Sequence, residues 1–133
     1  MVFIIYKPST NNSNKLQRKI EPLVSKTQVE NYSSIKDITQ RLQRPMKEEV
    51  VGIFMPSSEK DLSDLLSINH LVKDIRIILV LPDRDEKTIS IGHSLRPRFL
   101  TYADGDLSDV AAVMIKMMGN SREEQNQRGE VYA

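Results

Sequence analysis

The stretch Asp74-Ile75-Arg76-Ile77-Ile78-Leu79-Val80-Leu81-Pro82-Asp83 decides the fold. Apart from Arg76, every residue from 75 to 81 is aliphatic, with no polar alternation. A strand with one wet face alternates. A run like this one needs cover on both faces, as a central strand of a parallel sheet does. Two shorter runs have the same character: Val50-Val51-Gly52-Ile53-Phe54 within residues 49–55, and Val2-Phe3-Ile4-Ile5-Tyr6. Residues 28–32 read as a weaker second strand and 99–102 as a fifth.

Helical spacing fills the intervals. Leu16, Ile20, Leu23 and Val24 predict a helix over 15–25, with Ser13 or Asn14 as its cap. Ile35, Ile38 and Leu42 predict a second, capped by Ser33 or Ser34 and ended by Arg44-Pro45, since a residue before proline is pushed out of the helical region. Leu62, Leu65, Leu66, Ile68 and Leu71 predict a third, opened by Ser57 or Ser58 with Glu59 in its first turn. A short helix is expected over 84–93. A last one is expected over 108–118, with Val110, Val113, Met114 and Met117 inward and Asp106 or Ser108 as cap. Strands alternating with helices in this way predict right-handed crossovers. The expected fold is therefore α/β, a three-layer, doubly wound, five-stranded parallel sheet in the order 2-1-3-4-5. Residues 1–118 form this domain. Residues 120–130 contain no apolar side chain, so 119–133 are expected to be a disordered tail.

Composition excludes several functions. There is no cysteine, hence no disulfide framework and no thiol nucleophile. No run approaches the ~20 apolar residues of a membrane span. The start reads as a strand, because it lacks a basic leader and its apolar run is shorter than the ~7–15 residues of a signal core. A cytoplasmic location is expected. Net charge is +1, but residues 1–47 carry nine Lys/Arg against three acids, and the remainder ten against fifteen. That asymmetry suits either a basic face or two separate solvated helices. Lys15, Arg18, Lys19, Arg41 and Arg44 would form such a face. Without a helix-turn-helix signature or stacking aromatics, nucleic acid is not the expected partner. His70 and His93 have no second histidine nearby, so no metal ligand set is expected.

Three stretches carry a family resemblance. Glu49-Val50-Val51-Gly52-Ile53-Phe54-Met55-Pro56 resembles the third strand of response-regulator receiver domains and the Met-Pro turn after it. Ile78-Leu79-Val80-Leu81-Pro82-Asp83-Arg84-Asp85 is similar to their fourth strand and its loop. Gly92 followed by Arg96-Pro97-Arg98-Phe99-Leu100-Thr101-Tyr102-Ala103 is similar to the stretch that leads into their Lys-Pro. The resemblance implies a flavodoxin-like fold over about residues 2–118. It also implies a phosphorylation site whose positions are all replaced here. The acidic pair that would hold Mg²⁺ falls on Tyr6-Lys7 or Lys7-Pro8, the acceptor aspartate on Gly52, the hydroxyl on Pro82, and the lysine-proline on Tyr102-Ala103. A lysine where carboxylates should bind a dication repels it. The chain thus reads as a pseudo-receiver with no metal, no cofactor and no enzymatic activity.

The function expected is phosphorylation-independent protein interaction, with a partner or with a second copy. In receivers the surface formed by the fourth helix, fifth strand and fifth helix commonly serves such contacts. Tyr102, Ala112, Lys116 and Met118 fall on or near it. Asp83, Asp85, Glu86, Asp104 and Asp106 are expected to cap turns and helices, with a displaced cation site as the other reading. The alternative function is binding of a small ligand or nucleotide, flavin included, by the 8–14 loop. Its hydroxyls and helix start suit a phosphate, although it has no glycine and the chain has no tryptophan.

Overall fold

A computed structural model describes residues 1–8, 13–23 and 29–119 of the chain, with backbone only at 13 and 14. Its strands are β1 (Val2–Tyr6), β2 (Val29–Tyr32), β3 (Val50–Phe54), β4 (Arg76–Leu81) and β5 (Phe99–Tyr102). All are parallel and lie in one sheet of order β2-β1-β3-β4-β5, the expected flavodoxin-like order. Every residue of β1 and β3 is buried, and every residue of β4 except Arg76. The edge strand β5 is half-buried throughout, and so is β2 apart from exposed Asn31.

Among the described residues six helices cover the sheet: α1 (Ser13–Ile20), α2 (Ile35–Gln43), α3 (Glu59–Ser67), α4 (Asn69–Val72), α5 (Glu86–Ser94) and α6 (108–119). Strand residues alternate between two cores. Val2, Ile4, Tyr6, Val50, Phe54, Ile77, Leu79 and Leu81 pack with Ile38 and Leu42 of α2, Leu62 and Leu65 of α3, and Val72 of α4, while Ile89 and Ile91 of α5 lie against them. Phe3, Ile5, Val51, Ile53, Ile78 and Val80 pack with Leu16 and Ile20 of α1 and Val110, Met114 and Met117 of α6. Each large side chain so buried contributes about 1.5–3 kcal/mol, whereas a helix cap contributes about 1 kcal/mol. The sheet's two faces, more than helix propensity, therefore hold the fold.

Three helix boundaries differ from expectation, each for a local reason. α1 ends at Ile20 rather than 25, because Glu21 precedes Pro22 and must leave the helical region. The third helix is two pieces. Ser67 Oγ donates to the Asp64 carbonyl at 2.5 Å, and Ile68 N–H donates to Leu65 O at 3.1 Å with Ile68 at φ −106°, ψ 23°. A side chain competing for backbone carbonyls breaks the ladder there. α5 starts two residues late, since Asp83 Oδ1 accepts the Asp85 N–H at 3.0 Å and holds 83–85 as a turn. His93 lies in the last turn of α5.

The basic half does not form one face. Lys15, Arg18 and Lys19 stand on α1, and Arg41 on α2, across the sheet from it. Lys15 Nζ donates to the Ala103 carbonyl at 3.3 Å, and Arg41 is engaged by Glu30 at 2.6 Å. The charge asymmetry thus comes from separate helices. Residues 120–133, where the tail is expected, lie outside the described residues. Among the described residues no helix is long and apolar enough to cross a membrane.

Candidate functional site

In a sheet of this order the ligand crevice lies beyond the carboxyl ends of β1 and β3. Tyr6 and Phe54 end those strands and stand opposite each other. Their rings meet edge-on, with centroids 6.4 Å apart, and they are 2% and 0% exposed. Gly52 makes this packing possible. A Cβ there would stand 2.8 Å from the Phe54 ring, which folds back along its own strand into that space. Burial pushes the Tyr6 phenol up to about 12, with the Asp61 and Asp64 carboxylates of α3 opposing the phenolate.

Just beyond, Lys7 N–H donates to Tyr32 O at 2.9 Å and Met55 N–H to Tyr6 O at 2.8 Å, extending the sheet by one rung. Burial holds the Lys7 ammonium below the ordinary lysine pKa. Met55 and Pro56 are buried. Ser58 Oγ accepts the Asp61 N–H at 3.2 Å, and the Asp61 carboxylate accepts from the Ser57 N–H at 3.0 Å and from its hydroxyl. That acid is thereby committed to the start of α3, in a variant of the capping box. Among the described residues, then, the two strand ends are aromatic and apolar and are followed by the cation Lys7.

Of the positions replaced relative to receivers, Lys7, Pro82 and Tyr102 lie at carboxyl ends of strands. Gly52 does not. It stands in the middle of β3 opposite Ile4, two residues short of the end, and Phe54 occupies the place beside Tyr6. The count back from Met55-Pro56 falls on Gly52, and the strand runs on two residues past it.

Three of the five loop acids are committed locally. Asp83 caps its own turn. Asp104 holds Arg84 through Nη2 and Nε at 3.2 and 3.4 Å, and Asp106 Oδ1 accepts from the Ser108 N–H at 3.0 Å and its hydroxyl at 2.7 Å. Those two hydrogen bonds hold the Asp106 carboxyl below the usual range. Asp85 occupies the cap position of α5 without a side-chain hydrogen bond. Among the described residues no three acids or histidines are grouped to hold a metal ion.

No family model, curated protein or solved structure matches this chain. The site must therefore be read from its own geometry.

The face made by α5, β5 and α6 is the more distinctive surface. The Arg84 guanidinium lies 3.9 Å from the centre of the Tyr102 ring while paired with Asp104, so the loops after β4 and β5 are stapled together. Thr101 Oγ1 donates to Asp109 Oδ2 at 2.5 Å, tying β5 to α6. Tyr102 is half-buried, its ring covered by Arg84. Ala112 and Lys116 are exposed on α6, but Met118 is half-buried against the second core. The residue missed is Ile115, 51% exposed, one turn beyond Ala112. Its signal was in the spacing, since it falls between the inward positions Met114 and Met117. Of the 8–14 loop of the alternative reading, residues 9–12 and the side chains of 13 and 14 lie outside the described residues.

Proposed function

We propose that this chain is a receiver-like module that works by binding a protein, without phosphoryl transfer. One observation carries the reading. Where this sheet order puts its ligand crevice, β1 and β3 end in two mutually packed, buried aromatics followed by Lys7 and Met55-Pro56. Among the described residues neither strand end carries a carboxylate to accept a phosphoryl group; the Asp61 and Asp64 carboxylates that face Tyr6 belong to α3, and Asp61 is held by Ser57 at the start of that helix. The contact surface is that of α5, β5 and α6. β5 is an edge strand, paired on one side by β4, and exposed Ile115 and Ala112 stand on the helix that follows it. An exposed aliphatic beside a strand edge is what an interface would cover.

The test has two arms. Incubation with acetyl phosphate and Mg²⁺, followed by intact-mass measurement, is expected to give no phosphoryl adduct; an adduct would overturn the reading. Light scattering and pull-down with the wild type and Ile115→Asp are expected to show self-association or partner capture that the variant loses. Equal behaviour of the two proteins would remove α6 from the interface.

A further inference from the structure

At the opposite end of the sheet from the strand mouths, Arg76, Arg98, Phe99, Val113, Lys116 and Met117 line a hollow of about 320 Å³. Every polar side chain in this lining is cationic. The three cations come from three places in the chain: Arg76 opens β4, Arg98 immediately precedes β5, and Lys116 sits near the end of α6. Glu49 pairs with Arg76 at 2.5 Å and answers one of the three charges. Among the described residues, Arg98 and Lys116 make no ion pair. The remaining lining is apolar, from Phe99 of β5 and Val113 and Met117 of α6, with Met117 buried.

We propose that this hollow binds a small organic oxyanion, a phosphate or carboxylate carried on an apolar body. The acid group lies between Arg98 and Lys116, where a guanidinium fork suits its geometry. The body rests on Phe99 and Met117. Lys116 also belongs to the protein-binding face proposed above, but the pocket does not depend on that reading.

Amide chemical shifts of the full ¹⁵N-labelled chain test this, with phenyl phosphate, phenylacetate, inorganic phosphate and benzyl alcohol as probes. Phenyl phosphate or phenylacetate is expected to produce saturable shifts at Arg98, Phe99, Val113 and Lys116, the tighter of the two identifying the head group. Inorganic phosphate is expected to bind about tenfold more weakly, and benzyl alcohol not at all. Arg98→Ala and Lys116→Ala each weaken binding about tenfold, while Lys36→Ala, on exposed α2 surface, leaves it unchanged. Both mutated cations are exposed, so neither variant disturbs the core. The proposal is overturned if neither organic acid shifts those amides, or if the shifts spread equally over other surface cations. It is also overturned if inorganic phosphate binds as tightly as phenyl phosphate, or if both alanine variants bind like the wild type.

Discussion

Two buried residues, Gly52 in the middle of β3 and Tyr6 at the end of β1, set the chemistry of the site. Gly52 is a packing residue, its missing side chain filled by the Phe54 ring. Gly52→Ala is therefore expected to cost about 1–3 kcal/mol by overpacking. Gly52→Asp, which nominally restores an acceptor carboxylate, costs more, because it also buries a charge without a partner. Urea denaturation orders the three proteins, and the aspartate variant gains no acetyl-phosphate labelling. Tyr6 gives a pH signature. Its folded pKa, about 12, lies above the unfolded value near 10. Between those limits the unfolded chain sheds the phenol proton while the folded chain keeps it, so stability falls as pH rises through that window. Below about pH 10 the whole contribution, roughly 2 kcal/mol, is present. Lys7 acts in the opposite sense, since its lowered pKa makes folding less costly as pH rises. Tyr6→Phe isolates the first effect. Urea midpoints from pH 9 to 12 should fall less steeply in the variant, and equal slopes would reject the assignment. The sequence made the absence of carboxylates at Lys7 and Pro82 legible, because residue type alone decides it. It left the place of Gly52 hidden, because strand register depends on β1, forty-odd residues away.

At the scale of elements, the strands were legible and the helix ends were less so. Unbroken apolar runs at 2–6, 50–54 and 77–81 read as strands covered on both sides, and their burial follows. The break at Ile68 was not legible, since Leu62, Leu65, Leu66, Ile68 and Leu71 keep helical spacing across it. What interrupts them is a serine hydroxyl bonded to its own helix. Two helix ends make predictions of opposite sign. Ser58 caps α3, so Ser58→Ala should lower stability by about 1 kcal/mol. Arg96, just past the end of α5, has φ 53°, a left-handed conformation that glycine adopts freely and arginine does not. Arg96→Gly relieves that conformation but loosens the unfolded chain. The balance favours the variant by about 0.5–1 kcal/mol. A urea midpoint that rises for Arg96→Gly and falls for Ser58→Ala meets both expectations. A fall in both would mean that the Arg96 side chain stabilises the α5–β5 connection by more than its backbone strain costs.

For the whole molecule, the decisive feature is that one sheet serves two cores. Alternate residues of β1, β3 and β4 point into opposite layers, so neither layer can be stripped away without exposing strands that the other layer needs. Unfolding should then be a single transition, whichever layer is weakened. Leu65 belongs to the first core and Met114 to the second, and both are fully buried. Truncation of either to alanine is expected to cost about 2–5 kcal/mol, a large share of the roughly 5–15 kcal/mol that stabilises a domain. The spectroscopic probes separate the layers. Tyr6, Tyr32 and Tyr102 all pack against the first core, so in a Tyr132→Phe background, which removes the fourth tyrosine, emission reports that side alone, whereas far-UV circular dichroism reads the helices of both. If the sheet couples the layers, Met114→Ala lowers the tyrosine and dichroism midpoints by the same amount, although the mutated side chain lies across the sheet from every one of those tyrosines. A dichroism transition that moves ahead of tyrosine emission would mean that α1 and α6 detach on their own. The α6 surface proposed for protein contact would then rest on a separately unfolding layer rather than on a rigid sheet.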